Sequence, residues 1–144
     1  MKFIRKIVKS KSTEDTKFYY ELKKLLNFSP KKINKYKKAF THRSVQISDK
    51  KGIPINYERL EFLGDSILGT VIAAYLYKKV PTGSEGYLTQ MRSKIVSREH
   101  LNELGKDLNL IRFVKSNIDQ TNVGDNIHGN IFEALIVSIE LDKG

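Results

Sequence analysis

The chain has 144 residues, enough for one domain with its own core, and no cysteine, which excludes disulfides and thiolate metal sites. No apolar run reaches the roughly 18 residues that cross a membrane, and the N-terminus lacks a secretory signal, so we expect a cytoplasmic protein without membrane association. The formal net charge of +10 is uneven, because residues 1–55 hold 16 Lys/Arg against 4 Asp/Glu, whereas residues 56–144 hold 10 against 12. A basic half beside an acidic half indicates a polyanion ligand, although a solvated lysine-rich surface has the same composition.

Helical periodicity begins close to the N-terminus. Residues 1–13 alternate apolar pairs with Lys and Arg, which predicts a basic arm: either a frayed or packed segment, or a short helix that touches phosphates or a membrane surface. Thr13, followed by two acids, predicts the start of a helix that stops near Asn27, and a second helix follows up to Phe40. Residues 45–56 are rich in Ser, Asp, Lys, Gly and Pro and predict a loop.

The second half of the chain is also predicted to be helical. A central helix is expected over residues 57–79, and a long helix over about residues 88–104, with Gly105 ending or bending it. Residues 108–114 predict a short apolar helical element, and residues 125–141 predict the last helix. Because strand alternation and internal repeats are both missing, the sequence predicts an all-α fold.

The central helix carries an acidic stripe. Glu58, Glu61 and Asp65 are spaced by three and seven residues, which places them on one side of a helix. Phe62 is expected to project close to this stripe. The opposite side is apolar and is expected to be buried; it consists of Leu60, Leu63, Ile67 and Val71. Crowded carboxylates repel one another unless a cation or hydrogen-bond donors compensate, so the stripe predicts a metal site.

The last helix offers a second set of oxygen donors. Asn130 and Glu133 are three residues apart and face the same way. If this face meets the acidic stripe, a pocket forms that holds Glu61, Asp65, Asn130 and Glu133. Such ligands suit Mg²⁺, with Mn²⁺ as a possible substitute, and disfavour zinc. Hard cations among carboxylates beside a basic surface point to phosphoryl chemistry.

Four stretches of the chain resemble the ribonuclease III family. YERLEFLGDSIL, at residues 57–68, resembles the family's signature helix. AFTHRS, at residues 39–44, precedes it, as in the family. EGYLTQMRSKIVSREHLNELGKDLNL and GNIFEALIVSIELDKG, at residues 85–110 and 129–144, follow it in the family's order. The resemblance covers roughly residues 15–144. It implies the all-α ribonuclease III endonuclease-domain fold over residues 14–144, after the basic arm.

The resemblance also implies an activity and roles for individual residues. Family members are Mg²⁺-dependent homodimeric endoribonucleases that cut double-stranded RNA. They leave 5′-phosphate and 3′-hydroxyl ends with a short 3′ overhang. The resemblance therefore implies a role in the processing of rRNA or other RNA. Glu61, Asp65 and Glu133 match the metal-binding acids, of which the last two are the expected catalytic residues. Glu58 matches a supporting glutamate. Phe62 matches the aromatic residue that inserts into the partner subunit.

Some positions depart from the family's pattern. Asn130 stands where the family usually has aspartate, so we expect activity with weaker metal affinity. The alternative is a catalytically weak or inactive double-stranded-RNA-binding domain, and a general basic scaffold is a third reading. Val137 stands where the family commonly has a glycine, and Glu140 where it has a tyrosine; the sequence does not explain the effect of either replacement. The chain stops at Gly144 without the family's separate RNA-binding domain, so we expect weak, salt-dependent RNA binding by the catalytic domain itself.

For the remaining polar residues, the sequence predicts a structural role or leaves the role undecided. His42 is expected to make structural hydrogen bonds, and His128 to cap the last helix. Arg92, Lys94 and Arg98 either contact phosphates or are simply solvated.

Overall fold

The computed structural model describes residues 13–144, and these residues form six α-helices without a β-strand. The helices are α1 (Thr13–Leu26), α2 (Ile33–Ala39), α3 (Glu58–Lys79), α4 (Glu85–Ile95), α5 (Arg98–Asp107) and α6 (Ile127–Lys143). Short 3₁₀ turns lie at Arg43–Val45, Leu110–Phe113 and Gln120–Asn122. The all-α prediction is confirmed. The predicted basic arm lies outside the described residues except for Thr13, which begins α1.

The chain divides into two compact units, one ending at Ile33 and the other spanning Asn34–Gly144. In the first unit, α1 carries two acids in its first turn and two lysines in its last turn, which complements the helix dipole. The helix stops because Asn27 adopts a left-handed conformation with φ of 59°. The predicted first helix is therefore confirmed, and so is a second helix before Phe40, which begins at Ile33 and ends at Ala39.

The core of the second unit is built around α6, which packs chiefly against α3 and α5. Ile131, Ala134 and Val137 of α6 are completely buried. An α6 buried on most sides explains why its sequence is apolar nearly all round rather than amphipathic.

Two glycines allow the neighbouring helices to touch the backbone of α6. A Cβ added to Gly64 of α3 would lie 2.2 Å from the Glu133 carbonyl oxygen, and one added to Gly105 of α5 would lie 2.2 Å from the His128 carbonyl oxygen. Both distances are far below van der Waals contact, so neither site accepts a side chain without movement. Gly105 was predicted to end or bend its helix; this was wrong, because α5 continues to Asp107 and the glycine serves close packing.

The first turn of α6 is held by a side chain from α5. Asn102 accepts a hydrogen bond from the Gly129 backbone N–H at 2.9 Å and donates to the Asn126 side chain at 3.3 Å. His128 was predicted to cap this helix, but it lies inside the helix, one residue after Ile127. Its Nδ1 is buried without a hydrogen-bond partner within residues 13–144, and burial lowers the pKa of its ring. Asn102, rather than His128, therefore satisfies a backbone N–H in the first turn of α6.

The predicted long helix over residues 88–104 is two helices. Ser97 has an extended backbone, with φ of −62° and ψ of 151°, and its hydroxyl accepts a hydrogen bond from the His100 backbone N–H at 3.2 Å. This is a serine N-cap, and Glu99 in the first turn of α5 strengthens it. The uninterrupted apolar spacing concealed the capping signal.

The buried side of α3 is offset by one residue from the predicted one. The residues that are buried lie on an i, i+4 ladder: Leu60, Gly64, Leu68 and Leu76. Of the predicted buried set, Leu63 and Val71 are instead 44% and 54% exposed. Gly64 explains the offset, because the backbone of α6 contacts α3 at this glycine and the side of α3 that carries Gly64 therefore faces α6. A second ladder remains largely uncovered; it consists of Leu63, Ile67, Val71 and Tyr75.

Among residues 13–144, α3 alone is long and apolar enough to cross a membrane by length and composition. This differs from the expectation that no stretch of the chain would meet those criteria. One such helix is weak evidence for a membrane, because the core helix of a helical domain meets the same criteria.

The segment around His42 joins two loops to the start of α3. His42 Nδ1 accepts a hydrogen bond from the Ser44 backbone N–H at 3.1 Å, and its own backbone N–H donates to the Lys115 carbonyl oxygen at 2.9 Å. The Tyr57 N–H, at the start of α3, donates to the Thr41 carbonyl oxygen at 3.0 Å. The structural role expected of His42 is confirmed.

The close contact at Gly64 predicts a severe effect of one methyl group. Gly64→Ala should lower the free energy of unfolding by about 2–3 kcal/mol, because the methyl overlaps the Glu133 carbonyl. Gly69→Ala, on the same helix with nothing within 4 Å of its added Cβ, should leave stability unchanged or raise it by up to about 1 kcal/mol. Urea unfolding followed by circular dichroism measures both. Equal midpoints for the two variants would contradict the packing role of Gly64.

Candidate functional site

An open pocket of about 280 Å³ lies where α3, α6 and the first residue of α5 meet. Its lining residues are Glu58, Glu61, Phe62, Asp65, Arg98 and Glu133. The structure thus brings the acidic stripe of α3 together with Glu133, as the sequence predicted. It also adds Arg98, whose role the sequence left open. Asn130 does not line the pocket directly and reaches it through Arg98.

Glu133 forms the buried end of the pocket. It is 4% exposed, since the contact at Gly64 brings the α6 backbone at Glu133 against α3. Burial, and next the negative charge of Asp65, raise the pKa of Glu133 to about 7, while the nearby guanidinium of Arg98 opposes the rise. The carboxylate is therefore costly to ionise in the chain alone.

Glu61 and Asp65 complete the acidic cluster on the α3 side. Burial raises the pKa of Glu61, the charge of Arg98 opposes this rise, and the charges of Glu58 and Asp65 add to it. Asp65 itself is exposed, so the pocket opens to solvent on that side. The cluster carries more negative charge than its surroundings neutralise, which is the electrostatic condition for binding a cation.

Arg98 donates a hydrogen bond from Nη1 to Oδ1 of Asn130. The Asn130 side chain also hydrogen-bonds the hydroxyl of Tyr57, which partly offsets the rise that burial causes in the pKa of Tyr57. Tyr57 directly precedes α3 and is 8% exposed. The predicted ligand oxygen of Asn130 is thus in contact with Arg98, and its role toward a metal stays a prediction.

The donor chemistry of the pocket fits a hard divalent cation, but the pocket is not a closed cage. Among residues 13–144, no three His, Asp or Glu side chains lie close enough together to hold an ion directly. Mg²⁺ does not require this, because it usually keeps several waters and binds proteins through one or two carboxylates. Glu61, Asp65 and Glu133 are the residues that would hold it.

Glu58 and Phe62 stand at the rim. Glu58 Oε1 lies 3.6 Å from Nη1 of Arg43, in an ion pair whose side chains are 50% and 75% exposed respectively. Such a pair adds little stability, yet it partly neutralises Glu58, consistent with a supporting role rather than ligation. Phe62 is 80% exposed beside the acids, as its position on the helix predicted. Its insertion into a partner subunit stays a prediction.

The two unexplained departures lie outside the pocket. Val137 is completely buried in the core, so its methyl groups do not obstruct the acidic cluster. Glu140 is exposed and lines a separate groove beside Ile67 and Val71 of the uncovered ladder.

Comparison with known proteins identifies relatives that all belong to the ribonuclease III family. A family model described as ribonuclease-III-like matches residues 33–144. Ribonuclease 3 of Zunongwangia profunda is 64% identical and that of Flavobacterium psychrophilum is 59% identical, in both cases over the whole of this chain. The chain spans 59% of the length of each of these two curated relatives.

Solved structures agree with the sequence comparisons. The nuclease domain of ribonuclease III from Campylobacter jejuni matches with a TM-score of 0.74 and 30% identity, covering 86% of this chain and 85% of that one. That structure is described for flexibility in a region involved in dimer formation. Dicer from Pichia stipitis matches with a TM-score of 0.60 and 29% identity, covering 79% of this chain and 48% of that one.

The raised pKa of Glu133 predicts a pH-dependent stability. Because the pKa rises from 4.5 to about 7 on folding, the folded chain favours the protonated carboxyl, and stability falls as pH rises from 4.5 through 7. Glu133→Gln cannot ionise, so in EDTA it should be more stable than the wild type at pH 8, by up to roughly 3 kcal/mol, with no such advantage near pH 4.5.

Urea unfolding across this pH range measures the difference between variant and wild type. Glu140→Gln, on the exposed side of the same helix, is the matched control and should show no comparable trend. A difference for Glu133→Gln that is independent of pH would contradict the assignment.

Proposed function

Because the chain belongs to the ribonuclease III family, we propose that it is an endoribonuclease whose active site is the pocket between α3 and α6. The observation that carries the proposal is the convergence of Glu61 and Asp65 from one helix with Glu133 from another in one open pocket. The proposed substrate is double-stranded RNA, and the proposed products carry 5′-phosphate and 3′-hydroxyl ends with a short 3′ overhang. Processing of rRNA in the cytoplasm is the proposed setting.

The family is generally dependent on divalent metal ions, and Mg²⁺ is the ion proposed here, with Mn²⁺ as a substitute. When bound, such an ion supplies activation of the attacking water and charge compensation at the scissile phosphate. Glu61, Asp65 and Glu133 are the residues that would hold and orient it. Since burial raises the pKa of Glu133 to about 7, a cation that binds at neutral pH would displace the proton from those chains in which this carboxyl is protonated.

A homodimer is proposed through the uncovered side of α3. Phe62 is 80% exposed, and Leu63, Val71 and Tyr75 are 44%, 54% and 55% exposed along the same helix. Large apolar side chains in such a row are unusual on a monomer and typical of an interface. The dimer-forming region described for the C. jejuni nuclease domain supports this proposal. In a two-fold dimer, Phe62 of each subunit would insert into the surface of the partner subunit.

A binding-only domain is the second candidate, and Asn130 is the observation that favours it. The family's usual carboxylate is replaced by an amide that is hydrogen-bonded to Arg98 and Tyr57. The retained Glu61, Asp65 and Glu133 favour the endoribonuclease.

Cleavage of a duplex RNA distinguishes the two candidates. Mg²⁺ should support cleavage, whereas EDTA and Ca²⁺ should not. Asp65→Asn and Glu133→Gln should each reduce the rate by more than the roughly 10–100-fold that loss of an outer-shell partner of a metal site costs. Glu99→Gln, an acid in the first turn of α5 outside the pocket, is the control and should cleave normally. If the wild-type chain binds the duplex but leaves it intact in both Mg²⁺ and Mn²⁺, the binding-only function is correct.

The dimer proposal has its own test. Phe62→Ser should weaken dimerisation by about 2 kcal/mol or more, because buried aromatic residues are typical interface anchors. Sedimentation equilibrium at micromolar concentration measures the association. Tyr87→Ser, at an exposed aromatic residue of α4, is the matched control and should leave the mass unchanged. A monomeric mass for the wild type would exclude the dimer.

A further inference from the structure

Arg98 is placed at the pocket by the break between α4 and α5. It is the first residue of α5 and follows directly after the Ser97 cap, so its side chain extends from the N-terminal end of this helix. It is the one basic residue among the described residues that line the pocket. Arg98 is also exposed, and its guanidinium is therefore accessible to a ligand that enters from solvent.

The partner of Arg98 orients the guanidinium without neutralising it. Asn130 accepts one N–H bond and carries no charge, and its amide is in turn held by Tyr57. An aspartate at the same position would form an ion pair and consume the positive charge. With asparagine there, the positive charge of Arg98 acts on Glu61 and Glu133 in the pocket, and its remaining N–H donors stay available toward the pocket.

The formal charges of the pocket balance one divalent cation. Glu58 is paired with Arg43 at the rim. The other three carboxylates together with Arg98 carry a formal charge of −2. If an aspartate replaced Asn130 and Arg98 were absent, this aspartate and the same three carboxylates would carry −4, which two divalent cations would balance. The combination of Arg98 with Asn130 therefore lowers the demand for cations from two to one.

We propose that Arg98 is a substrate-contacting residue that binds a non-bridging oxygen of the scissile phosphodiester, in a site that takes one divalent cation per subunit. The inference rests on the proposed endoribonuclease function. A guanidinium suits this task because its N–H groups match the geometry of phosphate oxygens and its charge is permanent. As negative charge grows on the phosphoryl oxygens in the transition state, the contact strengthens, so Arg98 acts mainly on the rate.

The variant Arg98→Gln tests the contact. At saturating Mg²⁺ its single-turnover cleavage rate should fall by about 100-fold or more, as for removal of one charge-stabilising donor. Its affinity for duplex RNA in Ca²⁺ should change by less than about 3-fold, because one phosphate among many is affected. Arg98→Lys should retain part of the rate. Lys94→Gln, which removes an exposed charge from the last turn of α4, is the control and should keep the wild-type rate.

Metal binding without RNA provides a readout that does not depend on activity. Titration with Mn²⁺, followed by electron paramagnetic resonance, should give one tight ion per wild-type chain. The double variant Arg98→Gln/Asn130→Asp should bind two. Asn130→Asp alone should stay at one ion, because the new carboxylate pairs with Arg98.

Three outcomes would overturn the inference while leaving the proposed function intact. These are a wild-type rate for Arg98→Gln, recovery of its rate at high Mg²⁺, and two tight Mn²⁺ ions per wild-type chain. Failure of the wild-type chain itself to cleave would instead overturn the proposed function. Circular dichroism confirms that each variant is folded before it is compared.

Discussion

The backbone contact between α3 and α6 at Gly64 is the constraint on which the rest of the structure depends. It sets the distance between the two helices that carry the acidic residues, and it sets which residue of α6 faces the pocket. Gly105 provides a second fixed point one helical turn or more along α6, at His128, so α6 cannot slide or rotate without a steric clash. The position of Glu133 is therefore a consequence of packing rather than of attraction between polar groups.

That packing creates an electrostatic cost, which protonation of Glu133 relieves and which a bound cation would also relieve. Glu133 is buried near two other carboxylates, and the one guanidinium among the described lining residues offsets part of their repulsion. A cation in the pocket would reduce this repulsion, so cation binding would raise the free energy of unfolding of the chain. The same crowding of carboxylates that would strengthen cation binding therefore lowers the stability of the chain when no cation is bound.

Much of this was predictable from the sequence, because helical period and oxygen-donor spacing are local properties. Glu133 and its partners on α3 were found that way. The face of α3 was offset by one residue because periodicity does not reveal that Gly64, rather than Leu63, meets α6. Ser97 carried a capping signal that the apolar spacing hid. Arg98 could not be assigned, since its position in the pocket depends on the tertiary packing of α5 beside α3 and α6, which no local pattern encodes.

The order of the helices along the chain has a consequence for synthesis. Because the ribosome makes α3 well before α6, the apolar ladder at Leu60 and Leu68 waits without its partner while more than forty residues are added. During that interval the nascent chain holds Glu61 and Asp65 but lacks Glu133, so it has only part of the acidic pocket. Because Glu133 lies on α6, the packing of α6 against α3 both covers this part of the core and completes the acidic pocket.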